Sequence, residues 1–132
     1  MLSAVFAALT AILAKIGVAG VDSNLATAVR TSVVVVFTWL IASIARSETP
    51  FQHFTAKTWI FLALSGIATG LSWLCYFRAL QVGEASRVAP IDKLSVVFVI
   101  LLATAFLGEK LTWGKGAGVV LIAAGAIVIA LD

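Results

Sequence analysis

"APIDKLSVVFVILLATAFLGEKL", residues 89–111, decides how the rest of the chain is read. From Leu94 to Leu107 it carries no charge, while Asp92 and Lys93 stand against its front edge. Extended back to Ala85, the stretch reaches the ~20 residues that a helix needs to cross ~30 Å of hydrocarbon. The apolar run is continuous, without the period-two alternation of a membrane barrel strand, so it reads as a helical span.

Working outward with a window of about 19 residues, four more apolar segments join the one at 85–107, at 2–20, 25–45, 58–80 and 112–131. The expected fold is therefore an all-α integral membrane protein, with five transmembrane helices in a single domain over residues 1–132. Composition agrees, since 62% of the 132 residues are hydrophobic, 11% are charged and the mean hydropathy is +1.14. Those values lie far outside the range of a soluble domain of this size. The breaks between spans are "GVDSN", "RSETPFQHFTAK", "QVGE" and "GEKL", and each holds turn or capping residues: Gly20 with Asp22 to Asn24, Pro50, Gly83 and Gly108. Such short connections make neighbouring helices antiparallel and leave no room for an active site outside the bilayer. Residues 1–20 lack a basic n-region, carry Lys15 and run into further apolar sequence, so they read as a span that stays rather than a secretory signal.

Several classes are excluded. The net charge of +3 and pI near 9.4 come from nine basic residues scattered singly, which make no stripe for nucleic acid. Cys75 is the only cysteine and His53 the only histidine, so neither a disulfide framework nor a zinc or haem site is expected. No phosphate-binding loop, metalloprotease helix or nucleophile with a histidine partner occurs, so neither an enzyme nor a cofactor is expected.

Five crossings put the termini on opposite sides. Arg46, Lys57, Lys110 and Lys115 then fall on the side of the N-terminus, and Lys15, Arg30, Arg78, Arg87 and Lys93 on, or toward, the other. Counted this way the positive-inside rule gives no orientation, as for a chain inserted both ways. Counting loop residues alone leaves Arg87 as the only base on the second side and puts the N-terminus in the cytoplasm. Both readings stay open.

Lys15, Arg30, Arg78, Asp92 and Lys93 come from the first four spans and are expected in one half of the membrane. Asp92 and Lys93 lie deepest, roughly 10 to 12 Å from a helix start at Ala85. Each ionisable group at such depth costs at least ~2.5 to 3.5 kcal/mol and usually faces a protein interior or a wet cavity. Arg78, near its span end, is expected to snorkel; Lys15 and Arg30 either line a vestibule or pair with Asp92. Neighbours on a helix point about 100° apart, so Asp92 and Lys93 do not share one partner and at least one should look inward. Pro90 either breaks this helix beside the pair, as in transporter sites, or marks the helix start.

Helix three places Trp73, Tyr76 and Phe77 on one face, with Trp73 far from either interface; it reads as a packing stripe or as a surface for a flat or cationic ligand. Trp59 and Trp113 sit at span starts and read as interfacial anchors. Gly66 and Gly70 on helix three, and Gly118 and Gly125 on the last, mark helix-packing faces within the chain or between chains.

The ordered set "YFRALQVGEASRVAPIDKLSVVFVILLATAFLGEKLTWGKGAGVVLIAAGAIVIAL" (residues 76–131), preceded by "LTAILAKIGV" (9–18) and "LATAVRTSVVV" (25–35), resembles the EamA-type domain of the drug/metabolite transporter superfamily. The marks are an "AL" closing one span, the "ASxVAP" opening of the next, a "LGEK" exit and a Gly-rich last span. Members of that superfamily usually hold two five-helix repeats of opposite orientation around the substrate. This chain has one repeat, so the resemblance implies pairing, most simply as an antiparallel homodimer with dual topology, as the small multidrug resistance proteins do. It departs from those proteins in offering Lys15 and no buried Glu on helix one, so proton-coupled cation export of that kind is not implied. Carried over by position, Lys15, Arg30, Asp92 and Lys93 fall on cavity-lining helices, and Glu109 with Lys110 on a structural helix end.

The resulting expectation is a secondary carrier for a small metabolite or drug, in the inner (plasma) membrane, with Lys15, Arg30, Trp73, Tyr76, Asp92 and Lys93 at the substrate and Asp92 as coupling group. The rivals are a non-transporting membrane assembly module and a half carrier that needs a different partner half.

Overall fold

The computed structural model describes residues 1–45 and 54–132, and these form helices and no strand. In chain order they are α1 (Leu2–Gly17), α2 (Ser23–Ile44), α3 (Ala56–Val82), α4 (Ala85–Asp92), α5 (Ser95–Phe106) and α6 (Trp113–Leu131). Pro50, His53 and Arg46, which entered the turn, metal and orientation arguments, lie outside the described residues.

Three segments are long and apolar enough to cross a membrane as expected: α2, α3 and α6; a fourth, Ala85–Phe106, is made of α4 and α5 together. The protein is thus a multi-pass membrane protein. At 16 residues, α1 spans about 24 Å and is shorter than the 2–20 segment read from sequence. It stops early because the N–H groups of Ala19 and Val21 close tighter turns onto the Ile16 and Val18 carbonyls, and Gly20 takes the left-handed conformation at φ +75°.

Helix starts follow from side-chain caps. The Asp22 carboxylate accepts from the N–H groups of Asn24 and Leu25 at 2.9 and 3.0 Å, starting α2. Thr55 accepts from Thr58 N–H at 3.2 Å at the head of α3, and the Phe54 and Trp59 rings, 5.6 Å apart, pack across that cap as a hydrophobic staple. Thr112 accepts from Lys115 N–H at 3.3 Å to start α6. Between α5 and α6, Gly108 at φ +68° lets the Glu109 N–H fold back onto the Ala103 carbonyl at 3.2 Å. Asp22→Ala is expected to cost about 1 kcal/mol, read as a lower unfolding midpoint in mixed micelles; an unchanged midpoint would remove this cap from the account.

The chain divides into two compact units, Met1–Leu13 with Val82–Asp132, and Ala14–Gln81. In the first, α6 packs on α4 and α5, and the small side chains Ala103 and Ala126 are buried, as where helices approach closely. In the second, Val18, Ser23, Thr27, Phe77 and Leu80 are buried. Hydroxyls inside the spans bond back to their own helix: Thr27 donates to the Ser23 carbonyl at 2.7 Å and Thr104 to Ile100 at 2.8 Å. A hydroxyl bonded in this way presents no unmet donor to hydrocarbon. Large side chains such as Phe6, Val36, Phe98 and Leu121 are exposed, the expected face toward lipid.

The span expected as one helix at 85–107 is two. Pro90 is inside α4, which ends two residues later. Its missing N–H takes away the donor for the Ser86 carbonyl. Beyond it the N–H groups of Lys93 and Leu94 turn to Pro90 and Ile91, at 3.1 and 3.0 Å, and those of Val96 and Val97 to Lys93 and Leu94. This is a tighter 3₁₀ path. Of the two readings of Pro90, the break is the one observed.

Candidate functional site

Arg30 lies seven residues past Ser23 on α2, about 10 Å along the helix, and Trp73 lies nine residues before Val82 on α3, about 14 Å from that end. The Arg30 guanidinium carbon sits 4.2 Å from the Trp73 ring centroid and 5.4 Å from that of Phe77. The head group is held beside the interior aromatics rather than drawn out along its stem to the helix end. A cation over an indole at this range is worth about 0.5 to 2 kcal/mol, more as water is excluded. Tyr76 lies on the same face of α3, three residues past Trp73. The aromatic surface read from sequence as open to a cationic ligand is therefore occupied, at Trp73, by the chain's own cation.

Lys15 goes elsewhere. Its ammonium donates to the Leu80 carbonyl at 2.6 Å, one of the last four carbonyls of α3, which have no partner within the helix. A cation at a helix C-terminus also meets the negative end of the dipole. Beside it, the Gln81 amide donates to the Val21 carbonyl at 2.8 Å and accepts from Arg78 at 2.8 Å. Together these bonds fasten the α1–α2 turn to the end of α3. Arg78 is exposed, as expected for snorkelling, but it is also bonded. Sequence reasoning missed Gln81; its one signal was an amide three residues past Arg78 at a helix end.

In the other unit, Lys93 Nζ lies 3.3 Å from Asp92 Oδ2, with side chains 57% and 37% exposed. The helix ends between them, and the turn at Lys93 lets the two heads meet. Two further pairs brace helix ends, Arg87 with Glu84 at 3.4 Å and Lys115 with Glu109 at 3.3 Å. Exposed pairs of this kind contribute about 1 kcal/mol or less. Glu109 thus sits in a structural contact, with Lys115 rather than its neighbour Lys110.

The glycines give a different result from within-chain packing. A Cβ built on Gly66, Gly70, Gly118 or Gly125 meets no atom within 4 Å among the described residues. Among the described residues, neither glycine face is pressed against another helix.

Residues 1–131 match the EamA-like transporter family. A protein of Sinorhizobium sp. named "Uncharacterized transporter in cobO 3'region" is 52% identical, in an alignment covering 99% of this chain and 93% of that protein. No solved structure matches the chain.

Proposed function

This chain belongs to the EamA-like transporter family, and from that premise we propose that it is a secondary carrier for a small solute, working by alternating access as an antiparallel pair of identical chains in the inner (plasma) membrane. Membership and the name of the Sinorhizobium relative support a transporter role and point away from an enzyme. The observation that carries the pairing is length. The match covers 93% of a relative that is itself named a transporter, so one set of helices is nearly all that relative has. A carrier of the inverted-repeat kind needs two such sets, and a second copy in the opposite orientation provides one.

In this reading α1 is the fifth crossing. Its ~24 Å falls short of the hydrocarbon thickness by an amount that local thinning absorbs. An odd number of crossings puts the termini on opposite sides, and the even division of basic residues lets the chain insert both ways. The open faces at Gly66 and Gly70, and at Gly118 and Gly125, are where the partner copy packs.

Arg30, Trp73 and Tyr76 are one candidate set for contact with the solute, and Asp92 and Lys93, in the other unit, are a second. Lys15 supports the first by holding the end of α3. Asp92, at the break between α4 and α5, is the coupling group: proton uptake there removes the charge that holds Lys93.

Topology tests the pairing. Two reporters, each active on a different side of the membrane, are fused in turn after Asp132. Comparable activity from both is expected. Activity from one alone would fix the orientation and favour the second reading, a half carrier or assembly module with a different partner, which the open glycine faces also fit.

A further inference from the structure

The carrier reading leaves the solute's chemistry open, and Arg30 addresses it. Among the described residues no hydrogen bond or ion pair takes up its guanidinium; its contacts are the rings of Trp73 and Phe77. The described part of its unit holds Lys15, Arg30, Lys57 and Arg78 against one carboxylate, Asp22, and that carboxylate is committed to the cap of α2. A cation kept about 10 Å inside a span without a counter-charge is costly. The Trp73 ring, 4.2 Å from the guanidinium carbon, accepts no conventional hydrogen bond from the five N–H donors at the guanidinium's edge. That edge is a fork matched to two oxygens of one planar or tetrahedral oxyanion.

We propose that Arg30 binds the oxyanion of the carried solute, whose class is a small organic carboxylate or phosphate, with Trp73 orienting the guanidinium so that its N–H edge meets the anion. This rests on the carrier reading above. A cationic solute meets like charge at this position, and a neutral one leaves the donors unpaired.

The full chain, in phosphatidylcholine nanodiscs at constant ionic strength, is titrated with succinate, lactate, glutamate and inorganic phosphate, and with tetraphenylphosphonium as the cation probe. Thermal unfolding and tryptophan fluorescence report binding. At least one oxyanion is expected to bind, with affinity reduced about tenfold to hundredfold in Arg30→Gln and less in Arg30→Lys, which keeps the charge but loses the fork. Circular dichroism matching the wild type shows that the variants fold, and Arg30→Lys remains informative if Arg30→Gln does not. Protection by the cation alone, by no oxyanion, or equally in Arg30→Gln overturns the proposal. Repeating the titration in phosphatidylglycerol nanodiscs separates the sources. Stabilisation by that lipid through Arg30, with no response to soluble anions, makes a headgroup the occupant and overturns the solute assignment. The two readings also fail differently. An oxyanion that binds through Arg30 but does not cross proteoliposomes sinks the carrier and keeps the site; tetraphenylphosphonium flux indifferent to Arg30→Gln keeps the carrier and sinks the site.

Discussion

Asp92→Asn is expected to reduce solute flux in proteoliposomes about tenfold or more, a change equivalent to about 1.4 kcal/mol or more at the transport barrier, while leaving the amount of folded protein unchanged. The reason lies in where the residue stands. Pro90 stops the α-helix, and the path from Lys93 to Val97 runs as tight turns between two half-helices. Backbone of that kind at membrane depth is tolerated where it is buried in protein or lines a cavity. The acid and the base placed on it meet each other at 3.3 Å with much of each side chain exposed, a pair worth about 1 kcal/mol or less to stability. The pair is thus dispensable for folding yet costly to insert, which is the balance expected of a working site. Asn keeps the size and the hydrogen-bonding of Asp92 and removes its charge and its proton. Lys93→Ala removes the partner alone and is expected to slow flux while leaving the proton site in place. Unchanged flux in both variants would strip Asp92 of its coupling role.

How much of this was legible in the sequence depends on what each feature is made of. Helix existence came from uninterrupted hydropathy, a property summed over about 20 residues, and α2, α3 and α6 lie within two residues of their expected ends. Local chemistry was legible for the same reason: the Asp22 cap and the Gly108 reversal involve residues a few positions apart. The division of the fourth span was visible only as a choice, since a proline in the second turn from a helix start is compatible with either outcome. The partners of Lys15 and Arg30 were not legible. Lys15 reaches a backbone carbonyl 65 residues away, and any residue type at position 80 would present one. Arg30 reaches a ring whose presence was noted, Trp73, yet the sequence offered Asp92 as an equally good counterpart. Charge alone draws a cation to a carboxylate; which partner it meets is set by helix register between distant segments, and hydropathy carries no record of that.

Locking the chain into one orientation is expected to abolish transport, and mixing two oppositely locked forms to restore it. Asn24→Lys with Glu84→Lys adds two bases to the short connections on one side, and Arg87→Gln with Leu111→Lys removes a base there and adds one on the other. Short-loop Lys and Arg residues set orientation more strongly than acids do, so a chain with nearly even bias needs few changes to be committed. None of the four positions lies in either candidate set for solute contact, and the exposed Arg87–Glu84 bridge lost in both variants contributes little to stability. Each form alone then has only parallel copies to pair with. An antiparallel pair is related by a two-fold axis in the membrane plane, and its interface joins the same faces of both copies; parallel copies present those faces at mismatched depth and leave the solute pathway with one orientation of repeat. Co-expression of the two forms supplies both orientations again, and flux should return toward the wild-type level while reporter fusions verify that each form stays locked. Full flux from either locked form alone would mean that opposed copies are not required, and the open faces at Gly66, Gly70, Gly118 and Gly125 would then belong to contacts with a different protein or with lipid.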